Sequence, residues 1–170
     1  MRRLLKFIKK MNKKYLKQAA KIALKSGCIR AKRGTILVRD DQVLAKAFNS
    51  PYPTNDFCQE HGCLRDKLKL GMGKEAEKCR SIHAEAKAIA LAAQKGCSLK
   101  GATAYITGMS CINCSKLIIA SGIKEVYYLD VHADRTGTVL MERMGIKVER
   151  GELEGDRPEE RLRDMSGQRK

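Results

Sequence analysis

His83-Ala84-Glu85-Ala86-Lys87-Ala88-Ile89-Ala90-Leu91-Ala92-Ala93-Gln94, with Cys111-Ile112-Asn113-Cys114 further along, is the part of the chain that decides its fold. The alanines, Ile89 and Leu91 predict a strong helix from His83 to Gln94, with His-Ala-Glu in its first turn and Gly96 closing it. Cys111 opens a second helix through Ile118, Ile119 and Ala120 to Gly122. Both motifs therefore fall at helix starts, where free N–H groups and the helix dipole favour thiolate over thiol. One imidazole and two thiolates fill three positions of a tetrahedral Zn²⁺ and leave the fourth for water, whose pKa bound zinc lowers to about 7. Cys111 and Cys114 lie three residues apart and share a helix face. Glu85 lies about 200° around an ideal helix from His83, so it reaches the open position only where the first turn is loose. An unligated carboxylate there can carry protons as general acid and base.

Working outward, Met11 to Ser26 predicts an amphipathic helix ending near Gly27, with Tyr15, Leu16, Ala19, Ala20, Ile22 and Ala23 at close to helical spacing. Thr35 to Val38 reads as a strand, Asp40-Asp41 as a turn, and Gln42 to Phe48 as the hairpin partner. Asn49 to Ile82 is irregular, with Pro51, Pro53, several cysteines, Gly71-Met72-Gly73 and only a weak helical stretch at Leu64 to Leu70. A loop this long in a compact domain is functional or is held by something. Ala102 to Thr107 and Lys124 to Leu129 predict strands, Thr136 to Met144 a helix closed by Gly145, and Ile146 to Glu149 a last strand. The order α-β-β-α-β-α-β-α-β implies an α/β mixed sheet with helices on both faces. The reading divides the chain into a basic extension (1–10), one domain (11–150) carrying a cysteine-rich insertion (50–82), and a charged tail (151–170) with few large apolar residues.

At 170 residues, one domain with a real core is expected. No apolar run approaches the ~20 residues of a membrane span, which argues against a membrane partner. The seven cysteines are an odd number and include a Cys-x-x-Cys pair. That pattern points to reduced thiols and metal ligands in a cytoplasmic setting rather than to a disulfide scaffold. The net charge of +16 is concentrated near the start, where no acidic residue precedes Asp40. Such an arm attracts nucleic acid, anionic lipid or phosphorylated small molecules, or is simply a solvated helix face. Its scarcity of serine argues against a transit peptide.

The combination His-x-Glu…Cys-x-x-Cys, each half at a helix start, is similar to the zinc-deaminase signature. With further matches the chain resembles the zinc-dependent cytidine/deoxycytidylate deaminase superfamily, and within it the deoxycytidylate (dCMP) deaminases. Those matches are Ser26-Gly27-Cys28-Ile29-Arg30, Asn49 after the hairpin, Cys58-(x)4-Cys63-Leu64-Arg65 and Cys79-Arg80 before His83, Ala102 to Thr107, and Ser121 to Val126. They span about residues 17–148. The resemblance implies a three-layer α/β/α cytidine-deaminase-like fold around a mixed five-stranded sheet. It further implies deamination of dCMP to dUMP and ammonia, with Glu85 catalytic and His83, Cys111 and Cys114 on the catalytic zinc, and a homo-oligomer, dimer or hexamer. Three departures bear on the substrate pocket: Ser110 stands where proline is usual, Lys87 where asparagine is usual, and Phe48 and Ser50 flank Asn49 where glycine is usual.

Cys28, Cys58, Cys63 and Cys79 remain once Cys97 is set aside. Four soft ligands would make a closed structural zinc site pinning the long loop, with His61 as an alternative ligand; buried free thiols are the other reading. Asn49 and Arg30 are candidate contacts to sugar, base and phosphate, since guanidinium binds phosphate in a fork. Ala84 and Ser110, adjoining the ligands, are candidate substrate contacts as well. Tyr127, Tyr128 and His132 lie after a strand and serve either substrate or packing. Two other classes of function stay open: a polynucleotide deaminase acting on a base in tRNA or single-stranded DNA, or on another nucleotide or base, and a non-catalytic zinc-stabilised binding protein.

Overall fold

The computed structural model describes residues 2–71, 75–131 and 134–153, with residues 2–11 and 76 described by backbone alone. His132, Met72, Gly73 and the tail from 154 onward lie outside the described residues. Five strands form the central sheet: β1 (Gly34–Arg39), β2 (Gln42–Phe48), β5 (Thr103–Gly108), β6 (Glu125–Asp130) and β7 (Lys147–Arg150), in the order β2-β1-β5-β6-β7. β1 is antiparallel to β2 and to β5, whereas β5, β6 and β7 run parallel. The mixed five-stranded sheet expected from the sequence is the one observed. β1 and β2 are joined by Asp40 and Asp41, both at positive φ (51° and 57°), as a two-residue hairpin turn requires.

Helix α1 (Arg2–Ala23) covers one face. It begins nine residues before the expected start at Met11 and stops short of Ser26, so residues 2–10 continue the helix rather than precede it. Tyr15, Leu16, Ala19 and Ala23 are buried and Lys14, Lys17 and Lys21 exposed, which is the amphipathic pattern of a helix with one face on a sheet. Tyr15, Leu16 and Ala19 pack on Ile36, Val38, Tyr105, Tyr127 and Leu129. The approach is close: a Cβ on Gly34 would run into the Ala19 carbonyl. The Tyr15 hydroxyl donates to Asp41, which fastens the helix to the hairpin turn.

Helices α4 (Ala84–Gln94), α5 (Ile112–Ala120) and α6 (Thr136–Arg143) lie over the other face. Ala88 and Ala92 of α4 join Leu37, Ala45, Ala47, Ala104, Ile106, Ile118, Val126 and Met141 in the larger core cluster. Along β1 the side chains alternate, Ile36 and Val38 toward α1 and Leu37 toward α4, which is the period of a strand buried on both faces. The stretch between β2 and α4, expected to be largely irregular, contains β3 (Ser50–Pro51), α2 (Phe57–His61), α3 (Leu64–Lys67), a single 3-10 turn (Ala76–Lys78) and β4 (Ser81–Ile82). β3 and β4 pair with each other, Ser50 opposite Ile82 and Pro51 opposite Ser81, so both ends of the insertion are stapled together. The expected helix at Leu64 to Leu70 is present only as the short α3, and α2 had no sequence signal strong enough to find it. No helix among the described residues is long and apolar enough to cross a membrane.

Leu16 is fully buried between α1 and the sheet. Replacing it with alanine is expected to lower the unfolding free energy by about 2–5 kcal/mol, measured by denaturant titration at constant metal content.

Candidate active site

Two helix starts converge at the carboxyl edge of the parallel strands, which is where open α/β sheets place their sites. β5 ends at Gly108, and the Met109 N–H donates to the carbonyl of Asp130 at the end of β6 (3.0 Å), steering the chain into α5. His83 and Cys111 are the N-cap residues of α4 and α5, both in extended conformation, and not members of the first turns as expected. The correction removes the angular difficulty at Glu85: His83 stands outside the helix, so its direction is not tied to the helical repeat.

His83 Nδ1 lies 3.4 Å from Cys111 Sγ and 3.5 Å from Cys114 Sγ. Tetrahedral zinc with Zn–S near 2.3 Å and Zn–N near 2.0 Å places nitrogen and sulfur ligands about 3.5 Å apart. The three side chains therefore have the spacing of ligands to one ion. Among the described residues this is the one group of three or more His, Cys, Asp or Glu side chains whose metal-binding atoms all lie within 4.8 Å of one another.

Within this group the three side chains shift one another's protonation. A hydrogen bond from Cys114, aided by His83, pulls the Cys111 thiol down to about 4, while Cys111 and burial push Cys114 up. His83 is raised to about 10 by the Cys111 and Cys79 sulfurs. Metal binding displaces the remaining protons from His83 and Cys114.

Glu85 is only 8% exposed and acts electrostatically on both His83 and Cys114. Burial pushes its carboxyl above the usual range, against the opposing influence of His83, its own backbone N–H and Ser110. The Ser110 hydroxyl donates to Glu85 Oε1 at 3.0 Å, and both groups are buried. Three side chains that could hold one metal ion thus stand beside a buried carboxylate that is not among them, the donor set of a site with a position to spare for water.

Comparison with known proteins agrees. A sequence profile described as the cytidine and deoxycytidylate deaminase zinc-binding region matches residues 9–130, and the chain belongs to that family. It is 34% identical over 144 residues to ComE operon protein 2 of Bacillus subtilis, covering 84% of this chain and 72% of that protein. It is 30% identical over 135 residues to the deoxycytidylate deaminase of Schizosaccharomyces pombe, covering 79% of this chain but only 42% of the yeast enzyme. The crystal structure of dCMP deaminase from cyanophage S-TIM5 in complex with dCMP and dUMP superposes with a TM-score of 0.65 at 27% identity, covering 80% of this chain and 93% of the phage chain.

The other candidate residues have varied placements. Ala84 is buried beside the site. Asn49 is 6% exposed and uses its side chain on the backbone, accepting from Arg33 N–H (2.7 Å) and donating to the Ala31 carbonyl (2.9 Å). The Arg30 guanidinium is engaged by the insertion, at the Leu70 carbonyl (3.2 Å) and Asp66 (3.1 Å). Tyr127 stacks on Tyr105 beneath α1, and Tyr128 packs against the larger core cluster.

Cys58 and Cys63 are buried, Cys28 and Cys79 partly so. Burial, then the electrostatic influence of Cys28, Cys63 and Cys79, pushes the Cys58 thiol up, but the four sulfurs do not all lie within 4.8 Å of one another as the atoms of the His83 group do. Burial acts to raise Cys79 as well, but hydrogen bonding with His83 and from the Ser81 N–H brings its thiol down on balance. The His61 ring stacks on Phe57 and is about half exposed.

Sequence reasoning missed three features. Lys87 Nζ donates to Ser50 Oγ (2.6 Å) and lies 4.8 Å from the Phe48 ring centroid, so two of the three departures meet in one contact beside Asn49. Arg33 pairs with Asp130 (2.7 Å) across Gly108, where a Cβ would lie 2.8 Å from the guanidinium carbon. Gly137, inside α6, admits the cysteine turn: a Cβ there would sit 2.6 Å from the Ser110 carbonyl oxygen and against Ser115 Oγ. A glycine within a helical pattern was the available signal for this last one. Gly137→Ala is expected to destabilise the fold by about 1–3 kcal/mol and to weaken zinc retention, measured by thermal unfolding and by zinc content after dialysis against a chelator.

Proposed function

We propose that this protein catalyses the hydrolytic deamination of dCMP to dUMP and ammonia. The carrying observation is the buried Glu85 carboxylate set beside the His83, Cys111 and Cys114 group, in a chain similar over most of its length to a phage dCMP deaminase. Zinc bound by those three side chains supplies Lewis-acid activation of water, bringing its pKa to about 7. Glu85 takes a proton from the attacking water and delivers it to ring N3 as the oxygen bonds to cytosine C4. The same carboxylate then passes the proton of the new C4 hydroxyl to the amine, the C4–N bond breaks, and ammonia leaves. Burial of Glu85 suits both halves of this cycle, because a carboxyl raised above its usual range is a better base and remains a competent acid. The nucleotide contacts proposed are Ala84, Asn49 and Arg30, the last two in addition to their present partners in the protein.

We also read Cys28, Cys58, Cys63 and Cys79 as ligands of a second, structural zinc that would draw them together, supported by the influence of the other three thiols on Cys58. All seven cysteines are free, which supports a reducing, cytoplasmic setting. Self-association as a dimer or hexamer is part of this reading, supported by exposed Leu117, Val139 and Met144 on and beside α5 and α6. A second reading, deamination of a base in tRNA or single-stranded DNA, draws support from the exposed Lys17, Lys21 and Lys25.

The deciding experiment is an ammonia-release assay over free nucleotides and oligonucleotides with the zinc-loaded protein. Turnover of dCMP is expected, with Glu85→Ala lowering kcat by about 10²–10⁴-fold at unchanged zinc content. Turnover of oligonucleotides alone, with binding that falls steeply with salt, would move the assignment to the second reading. Elemental analysis of the same sample is expected to give about two zinc ions per chain. Cys58→Ser should lower the count to about one, and a count of about one in the unaltered protein removes the structural site.

A further inference from the structure

We infer that Ser110 is a positioning residue for Glu85, an inference that rests on the deaminase reading above. The hydroxyl donates to Glu85 Oε1 at 3.0 Å within a contact where Ser110 is 2% and Glu85 8% exposed, so water does not compete for it. A hydroxyl has one proton to give. Committed to Glu85, Ser110 has only lone pairs to offer a substrate, which sets this role apart from a substrate contact. A hydrogen bond at one oxygen restrains rotation of the carboxylate about its terminal bond and so favours one orientation for taking and returning protons.

The anchor is itself rigid. Ser110 immediately precedes the N-cap Cys111, and its carbonyl is packed against Gly137 of α6, so α5 and α6 together hold the hydroxyl in place. The proline expected here by resemblance has no donor, and with proline Glu85 would be oriented by its helix alone. This chain thus adds a side-chain hydrogen bond to its catalytic carboxylate. Orientation matters most when the proton moves, so the effect belongs on kcat rather than on substrate affinity.

The test compares unaltered protein, Ser110→Ala, Ser110→Gly and Ser110→Thr, all zinc-loaded. Removing the hydroxyl is expected to lower kcat roughly 10- to 100-fold, the range for a hydrogen bond to a charged group, with KM and zinc per chain unchanged. Ser110→Thr, which keeps the donor, should recover kcat to within about threefold. Crystal structures should find the Glu85 carboxylate in one orientation with serine or threonine, and rotated or split without the hydroxyl. Unchanged kcat, a loss that follows zinc content, or an undisturbed Glu85 orientation would each overturn the inference. Failure to turn over dCMP would instead sink the substrate reading. The kinetic comparison would then be made on whichever compound is deaminated, and the Glu85 orientation decides the role of Ser110 regardless of substrate.

Discussion

Everything at the site depends on how closely α4 approaches the sheet. The face of α4 that meets β1 and β2 is built from Ala84, Ala88 and Ala92, one helical turn apart and almost fully buried, and the facing strand residues include Ala45 and Ala47. Small side chains on both surfaces let the helix axis settle near the strands, and the tight interior leaves little freedom to slide. That packing fixes where α4 begins, hence where His83 stands relative to Cys111 and Cys114. A larger residue on this face would lift the helix and open the 3.4–3.5 Å ligand spacings long before it unfolded the domain.

The same constraint explains why so charged a group can be built into a core. Glu85, His83 and two thiols gather at one end of the sheet, in a region otherwise lined by alanine and branched aliphatics. Two helix N-termini point at the thiolates and Ser110 at the carboxylate, so the buried charges meet fixed dipoles in place of water. The cost of desolvation is still visible in the Glu85 carboxyl, which burial holds above its usual range.

Much of this was legible in the sequence. Strands β1, β5 and β6 are short apolar runs, α4 and α6 end at glycines, and the ligand triplet follows from residue type and spacing. What the sequence could not separate is a polar side chain that meets a ligand from one that braces the backbone. Asn49 and Arg30 carry the right chemistry for a nucleotide, yet here their atoms engage Ala31, Arg33, Leu70 and Asp66. Composition is the same in both roles, and only the position of the neighbours distinguishes them. The insertion was illegible for another reason: its elements are too short to show periodicity, and its order comes from contacts distant in sequence. The N-cap conformation of His83 escaped prediction because helix boundaries depend on local dihedrals that propensity does not resolve.

The β3–β4 staple has a consequence for how such a protein can change. Because Ser50 and Pro51 pair with Ile82 and Ser81, and Tyr52 N–H bonds the Arg80 carbonyl, the long excursion leaves and rejoins the domain at a single point. The entropy of closing a loop grows only with the logarithm of its length, about 0.6 kcal/mol for each doubling. Closure entropy therefore sets little limit on the length of the segment between those two pairs; what a replacement must restore is its contacts, Asn55 with Gly27 and Lys25, and Leu70 and Asp66 with Arg30. Its exit is one residue from His83, so whatever replaces it is delivered to the rim of the metal group. Because Cys79 of this segment hydrogen-bonds His83, its length is free but its last turn is not.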